Sequence, residues 1–217
     1  PPTAPAIVCP APGSSSYNTA PRFMITTGVE PDGMTQLAEV KIDTGIWINS
    51  ADNPERFSTS GHLGNGVKTV CQAETLAAGS HTITLRCLDS DIESASPEAV
   101  RTFTVLPAPF ETITANETHV KASHIQTLRT AVNTVRSYYS LPPATWGEEV
   151  AARKTAAKNW PFHIMELRKA VEPVISAVNG FDSSSAFDIP PVTWLPIGTG
   201  RPRADVMRQI QDLILTL

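Results

Sequence analysis

Apolar and polar residues alternate with a period of two over much of the first half of the chain, the signature of half-buried strands. Pro21 to Thr27 alternates around Phe23 and Ile25, and Leu37 to Asp43 puts Ala38, Val40 and Ile42 on one face and Glu39, Lys41 and Asp43 on the other. Asp43-Thr44-Gly45 reads as a turn, with Ile46-Trp47-Ile48 returning as the second arm of a hairpin. Val67 to Ala73, Thr82 to Leu88 and Ala99 to Val105 supply further strands, and Ile7-Val8-Cys9, flanked by prolines, suits a sheet edge. About seven short strands between Gly, Asn, Asp and Pro turns predict two antiparallel sheets, an all-β sandwich over residues 1–107.

Past Pro107 and Pro109 the period changes to that of a helix, which places a domain boundary near residues 106–111. Ile125, Leu128, Val132, Val135 and Tyr139 form one apolar stripe, and the same stripe returns thirty-nine residues later as Ile164, Leu167, Val171, Val174 and Val178. Seven of twelve positions are identical between residues 124–135 and 163–174, so the second half is an internal repeat. Val206, Ile210, Leu213 and Leu217 mark a third, degenerate copy. Pro142-Pro143-Ala144-Thr145-Trp146 precedes the second helix as Pro190-Pro191-Val192-Thr193-Trp194 precedes the third. A lone helix cannot bury its stripe, so an all-α three-helix bundle is expected over residues 111–217, with helices at about 123–139, 161–179 and 203–216. Pro161 suits a helix start, and Pro173 is expected to bend the second helix.

Charge narrows the partners. The 217 residues carry 17 basic and 21 acidic side chains, a net charge of −4 with no cationic stripe, which argues against nucleic acid. No apolar run reaches the ~20 residues of a bilayer span, so no membrane crossing is expected. Hydrophobic residues make up 41% of the chain, enough for a packed core. A start at Pro1-Pro2, without an initiator Met or a signal pattern, points to a processed form or part of something longer.

Two resemblances follow from these residues. Pro21-Arg22-Phe23, Val40 to Asp43 before Trp47, Gly79-Ser80-His81-Thr82 within Leu76 to Arg86, Asp89, and Arg101-Thr102-Phe103-Thr104-Val105 resemble bacterial immunoglobulin-like or fibronectin-III-like modules. The inter-sheet cysteine pair of antibody domains is not matched. His124-Ile125-x-x-Leu128-Arg129 and His163-Ile164-x-x-Leu167-Arg168 resemble helical modules attached behind Ig-like domains in bacteriophage or prophage tail-associated proteins and bacterial surface proteins. That combination implies a non-enzymatic structural or attachment module, in a virion or at the extracellular or bacterial cell surface, whose partners are other protein subunits, a homo-oligomer among them. A carbohydrate- or receptor-binding adhesion module is the alternative.

Candidate chemistry is sparse. Asp89, Asp91 and Glu93 alternate after a strand, a spacing by which oxygen ligands wrap a calcium ion, although solvated acidic loops read the same way. Trp47 on its hairpin is the candidate for stacking on a sugar or receptor. His124 and His163 could approach one zinc, but the second half has no Cys, and a histidine that caps or packs at a helix start is the favoured reading. Arg129 and Arg168 read as structural, with heads on carbonyls or an acid of the next unit. Cys9, Cys71 and Cys87 allow at most one disulfide; Cys71 and Cys87 could pair, and small apolar core thiols are favoured. Asn116-Glu117-Thr118 is an N-glycosylation sequon. No Gly-x-Ser-x-Gly elbow or phosphate-cradling glycine loop is present, so no catalytic residue and no cofactor are expected.

Overall fold

The computed structural model describes residues 1–89, 91, 94–111, 121–150, 156–184, 186–198 and 203–217. The sequon at Asn116 and the calcium candidate Glu93 lie outside them. Strands run in the order β1 (Ala6–Cys9), β2 (Ser15–Ser16), β3 (Arg22–Thr26), β4 (Gln36–Ile42), β5 (Ile48–Asn49), β6 (Lys68–Gln72), β7 (Gly79–Asp89) and β8 (Ala99–Val105). Helices α1 (Ala122–Tyr138), α2 (Ala156–Asn179) and α3 (Ala204–Thr216) follow.

The strands form a three-stranded sheet, β1-β3-β6, and a five-stranded sheet, β2-β8-β7-β4-β5. Alternation explains the faces: Ile83, Leu85 and Cys87 of β7 are buried opposite Ile42, Val40 and Ala38 of β4. The sheets meet through Phe23 of β3 and Phe103 of β8, whose ring centroids are 5.4 Å apart at 68°. The larger sheet is mixed, because β2 runs parallel to β8 through Ser15–Thr104 and Ser16–Val105. The expectation of purely antiparallel sheets is corrected there. The second arm of the β4 hairpin is also shorter than its pattern implies: only Ile48 and Asn49 pair with β4.

The three stripes are buried, from Ile125 and Leu128 through Ile164 and Leu167 to Val206 and Ile210, all at 0% exposure. Non-helical backbone within α2 falls at Asn159, ahead of Pro161, and Pro173 lies inside the helix. The expectation of an all-β domain followed by a separate all-α repeat bundle does not hold. Strands and helices share one hydrophobic core, and the chain is an α+β fold.

The reason lies at the helix ends. A helix leaves its last carbonyls without intrahelical partners, and here residues of the sandwich's strands and loops supply the donors. The Tyr138 carbonyl ending α1 accepts from the Ala11 amide at 3.0 Å and from the Cys9 thiol at 3.3 Å. The Thr216 carbonyl ending α3 accepts from Asn18 Nδ2 at 2.9 Å and from Arg22 Nη1 at 2.6 Å, which also sets a cation at the negative end of the helix. The Tyr138 ring packs edge-on to Phe103 in the sandwich core. Further out, the Ser58 hydroxyl donates to the Asp182 carboxylate, tying the α2–α3 connection to the small sheet.

Candidate functional site

One end of the sandwich gathers acidic side chains. The loop from β3 to β4 is drawn in by Gly28, whose amide donates to Cys87 Sγ at 3.4 Å and whose carbonyl accepts from Gln36 Nε2 at 2.9 Å. A Cβ at Gly28 would lie 2.0 Å from the Thr3 carbonyl oxygen, so only glycine fits. Asn65 then clamps the loop: its Oδ1 accepts from the Glu30 amide at 2.7 Å, and its Nδ2 donates to the Glu30 carbonyl at 3.1 Å. This places Glu30 and Asp32 beside Asp89, the last residue of β7, with one carboxylate oxygen from each within 4.8 Å of the others.

Glu30 is 3% exposed and Asp89 is 2% exposed, while Asp32 is open to solvent. Asp89 Oδ1 accepts from the Asp91 amide, and Asp32 Oδ1 from the Met34 amide. Glu30 Oε2 is buried with no hydrogen-bond partner among the described residues, as is Gln36 Oε1. Burial raises the Glu30 pKa above the ordinary glutamate value; the charges of Asp32 and Asp89 raise it further, and the Pro1 ammonium opposes them. The trio is the one converging group of three or more His, Cys, Asp or Glu among the described residues. It contains Asp89 of the sequence-based calcium candidate but takes its other members from the β3–β4 loop. Their sequence signal is the short run Glu30-x-Asp32-Gly33, which points nowhere until β4 and β7 are in register.

Trp47 lies half-buried beside the larger sheet with two cations against its ring. Lys41 Nζ is 4.5 Å from the ring centroid and the Arg86 guanidinium 4.1 Å. Arg86 also donates to Glu39 Oε2 at 2.6 Å. Next to it Ile46 is 83% exposed, at the rim of a groove of about 300 Å³ lined by residues including Ile42, Ile48, Arg56, Glu74 and Leu76.

The repeated histidines and arginines serve the packing. His124 Nδ1 accepts from the Lys121 amide at 3.1 Å, completing a cap at the start of α1, and its Nε2 is 3.1 Å from Glu111 Oε2. His163 is fully buried, with Nδ1 accepting from Arg129 Nη2 at 3.0 Å. The same Arg129 nitrogen donates to Glu166 Oε2 at 2.7 Å. The arginines repeat one contact pair. Arg129 lies 4.9 Å from the Trp146 ring and donates to the Glu148 carbonyl; Arg168 lies 4.8 Å from the Trp194 ring and donates to the Leu195 carbonyl. Ser60-Gly61-His62 is a bend in a loop, held by the Gly61 amide on the Ser50 carbonyl and Ser50 Oγ on the Gly61 carbonyl.

The three cysteines are free and buried, Cys71 in the small sheet and Cys87 in the large one. No helix among the described residues is long and apolar enough to cross a membrane.

No protein-family model matches the chain, and no curated protein matches it. Among solved structures, the PKD domain of an M14-like peptidase from Thermoplasmatales archaeon SCGC AB-540-F20 is similar over 49% of this chain and 96% of its own, at 13% identity and a TM-score of 0.37. CopC from Methylosinus trichosporium OB3b is similar over 48% of this chain and 92% of its own, at 22% identity and a TM-score of 0.29. At these values neither carries an argument about function.

Proposed function

We propose that the chain is a non-enzymatic structural and attachment module of a phage tail-like particle or a bacterial surface assembly. One observation carries the reading: the helical repeat is joined to the sandwich by donors from Cys9, Ala11, Asn18 and Arg22 that cap the ends of α1 and α3. Such capping makes the two parts one stiff body, which suits a spacer or adaptor that must hold its neighbours at a fixed distance. The exposed Ile46 at the rim of its groove supports attachment of a further protein subunit at the β4–β5 hairpin.

The test is location. An antibody to the chain should label purified particles or intact cells of the source organism, and the substitution Ile46→Asp should reduce incorporation without lowering the yield of folded protein. Confinement to the cytosol, with no particle or surface signal, would overturn the proposal. Recognition of an anionic glycan or receptor is a second reading, favoured by Lys41 and Arg86 against the Trp47 ring. Binding on a glycan array that disappears in Trp47→Ala would select it over the first.

A further inference from the structure

We propose that Glu30, Asp32 and Asp89 form a calcium site that ties the β3–β4 loop to the end of β7. The three residues offer carboxylate oxygens within 4.8 Å of one another, the hard oxygen donors that a calcium ion collects in its flexible six- to eight-fold coordination. Proximity of acidic groups is common, and two further observations separate this cluster from a solvated loop.

The first is burial without a bonded partner. Glu30 is 97% withdrawn from solvent by its 3% exposure, and its Oε2 has no hydrogen-bond partner among the described residues. An unpartnered buried carboxylate oxygen is among the costliest groups a fold can hold. No Lys, Arg or His among the described residues forms an ion pair with Glu30, Asp32 or Asp89, and the Pro1 ammonium acts on Glu30 without forming one. A divalent cation supplies the missing charge and the missing partner together.

The second is a neutral oxygen waiting on the same sheet face. Gln36 pairs with Asp89 across β4 and β7, so their side chains share a face, and Gln36 Oε1 is also buried and unpartnered. The Gln36 amide nitrogen is committed to the Gly28 carbonyl and to Asn65 Oδ1, which turns its oxygen to the remaining side. Calcium sites accept such amide oxygens beside carboxylates, with water completing the shell. Magnesium is a poorer fit, since it demands near-ideal octahedral geometry and sheds its water reluctantly.

The test is calorimetric titration of the EDTA-treated, dialysed chain with CaCl₂ and with MgCl₂, alongside thermal melts at matched ionic strength. Calcium should bind at one site, and at about ten times its dissociation constant should raise Tm by about 3–6 °C. Asp32→Asn lies on the exposed rim and leaves the fold intact; it should weaken calcium binding about tenfold or more. Glu30→Gln should raise Tm without calcium, by removing a buried charge that has no bonded partner, and should abolish the calcium-dependent rise. Absence of binding up to about 10 mM calcium, an equal Tm rise with magnesium, or retention of the full response in both variants would overturn the proposal.

Discussion

The Tyr138 hydroxyl donates to the Arg22 carbonyl at 3.1 Å, so the last residue of α1 is hydrogen-bonded through its side chain to the first residue of β3. The same residue accepts from Cys9 and Ala11 through its backbone and sits fully buried at 6.3 Å from Phe103. Strands and helices therefore unfold together. Urea titration followed by tryptophan fluorescence and by far-ultraviolet circular dichroism should give coincident single transitions. Tyr138→Phe should cost about 1 kcal/mol for the lost hydrogen bond, and Tyr138→Ala about 3–5 kcal/mol for the cavity. Two separate transitions would mean that the helices stand independently.

What was legible in the sequence follows from periodicity, and what was not follows from its silence about partners. Ile83 and Leu85 announce a sheet face because Thr82, Thr84 and Arg86 beside them are polar, and the stripe from Ile125 to Val135 announces a helix face because its apolar residues recur at helical spacing. Neither pattern says what the face packs against. Tyr138 adjoins the stripe rather than belonging to it, and its burial in the sandwich merges two expected domains into one core. Ser15 and Ser16 carry no apolar signal, and only their backbone pairing makes them a parallel strand. The acidic trio has the same history: Asp89 stands out at the end of its strand, whereas Glu30 and Asp32 join it through the Gly28 loop and the register of Gln36 with Asp89.

Arg168 and Trp194 test whether the repeat is a packing device. The guanidinium stacks on the ring and donates to the next carbonyl, a geometry that a lysine ammonium cannot reproduce. Arg168→Lys should destabilise by about 1–2 kcal/mol. A double-mutant cycle with Trp194→Ala should return a coupling of about 0.5–1 kcal/mol, and the cycle built on Arg129 and Trp146 should match it. A coupling near zero in both cycles would reduce the repeat to shared ancestry of sequence without shared energetics.

Cys71 bears on the thiol chemistry. It faces the sandwich core opposite Phe23 across β3 and β6, and burial pushes its pKa up to about 12 despite the opposing charge of Arg56. Thiolate is the reactive form, so this thiol is inert in the folded chain. Ellman's reagent at about pH 8 should leave Cys71 unmodified under native conditions and should count all three cysteines in guanidinium chloride. Rapid native labelling of Cys71, shown by peptide mapping, would require an opening of the small sheet that this packing does not allow.

His81 and Asp43 form the pair from which a pH dependence follows. His81 Nδ1 is 2.8 Å from Asp43 Oδ2 and Nε2 is 2.9 Å from the Ala77 carbonyl; both partners are acceptors, so only the imidazolium satisfies both. The Asp43 hydrogen bond raises the His81 pKa above its ordinary 6.5; burial opposes, while the Ala77 carbonyl and the Asp43 charge add to the rise. For Asp43, burial pushes upward, but the His81 hydrogen bond, the Thr82 amide and the His81 charge outweigh it and hold the carboxyl below its ordinary 3.8. The His81 contribution to stability is full below 6.5 and is lost as pH rises through the raised folded value. The Asp43 contribution is full above 3.8 and is lost as pH falls through the depressed folded value. The pair therefore stabilises most between 3.8 and 6.5. Urea midpoints of the parent and of His81→Gln, measured from about pH 5 to 9, should converge toward the alkaline end. A separation that stays constant across that range would show that His81 acts through packing alone, without its charge.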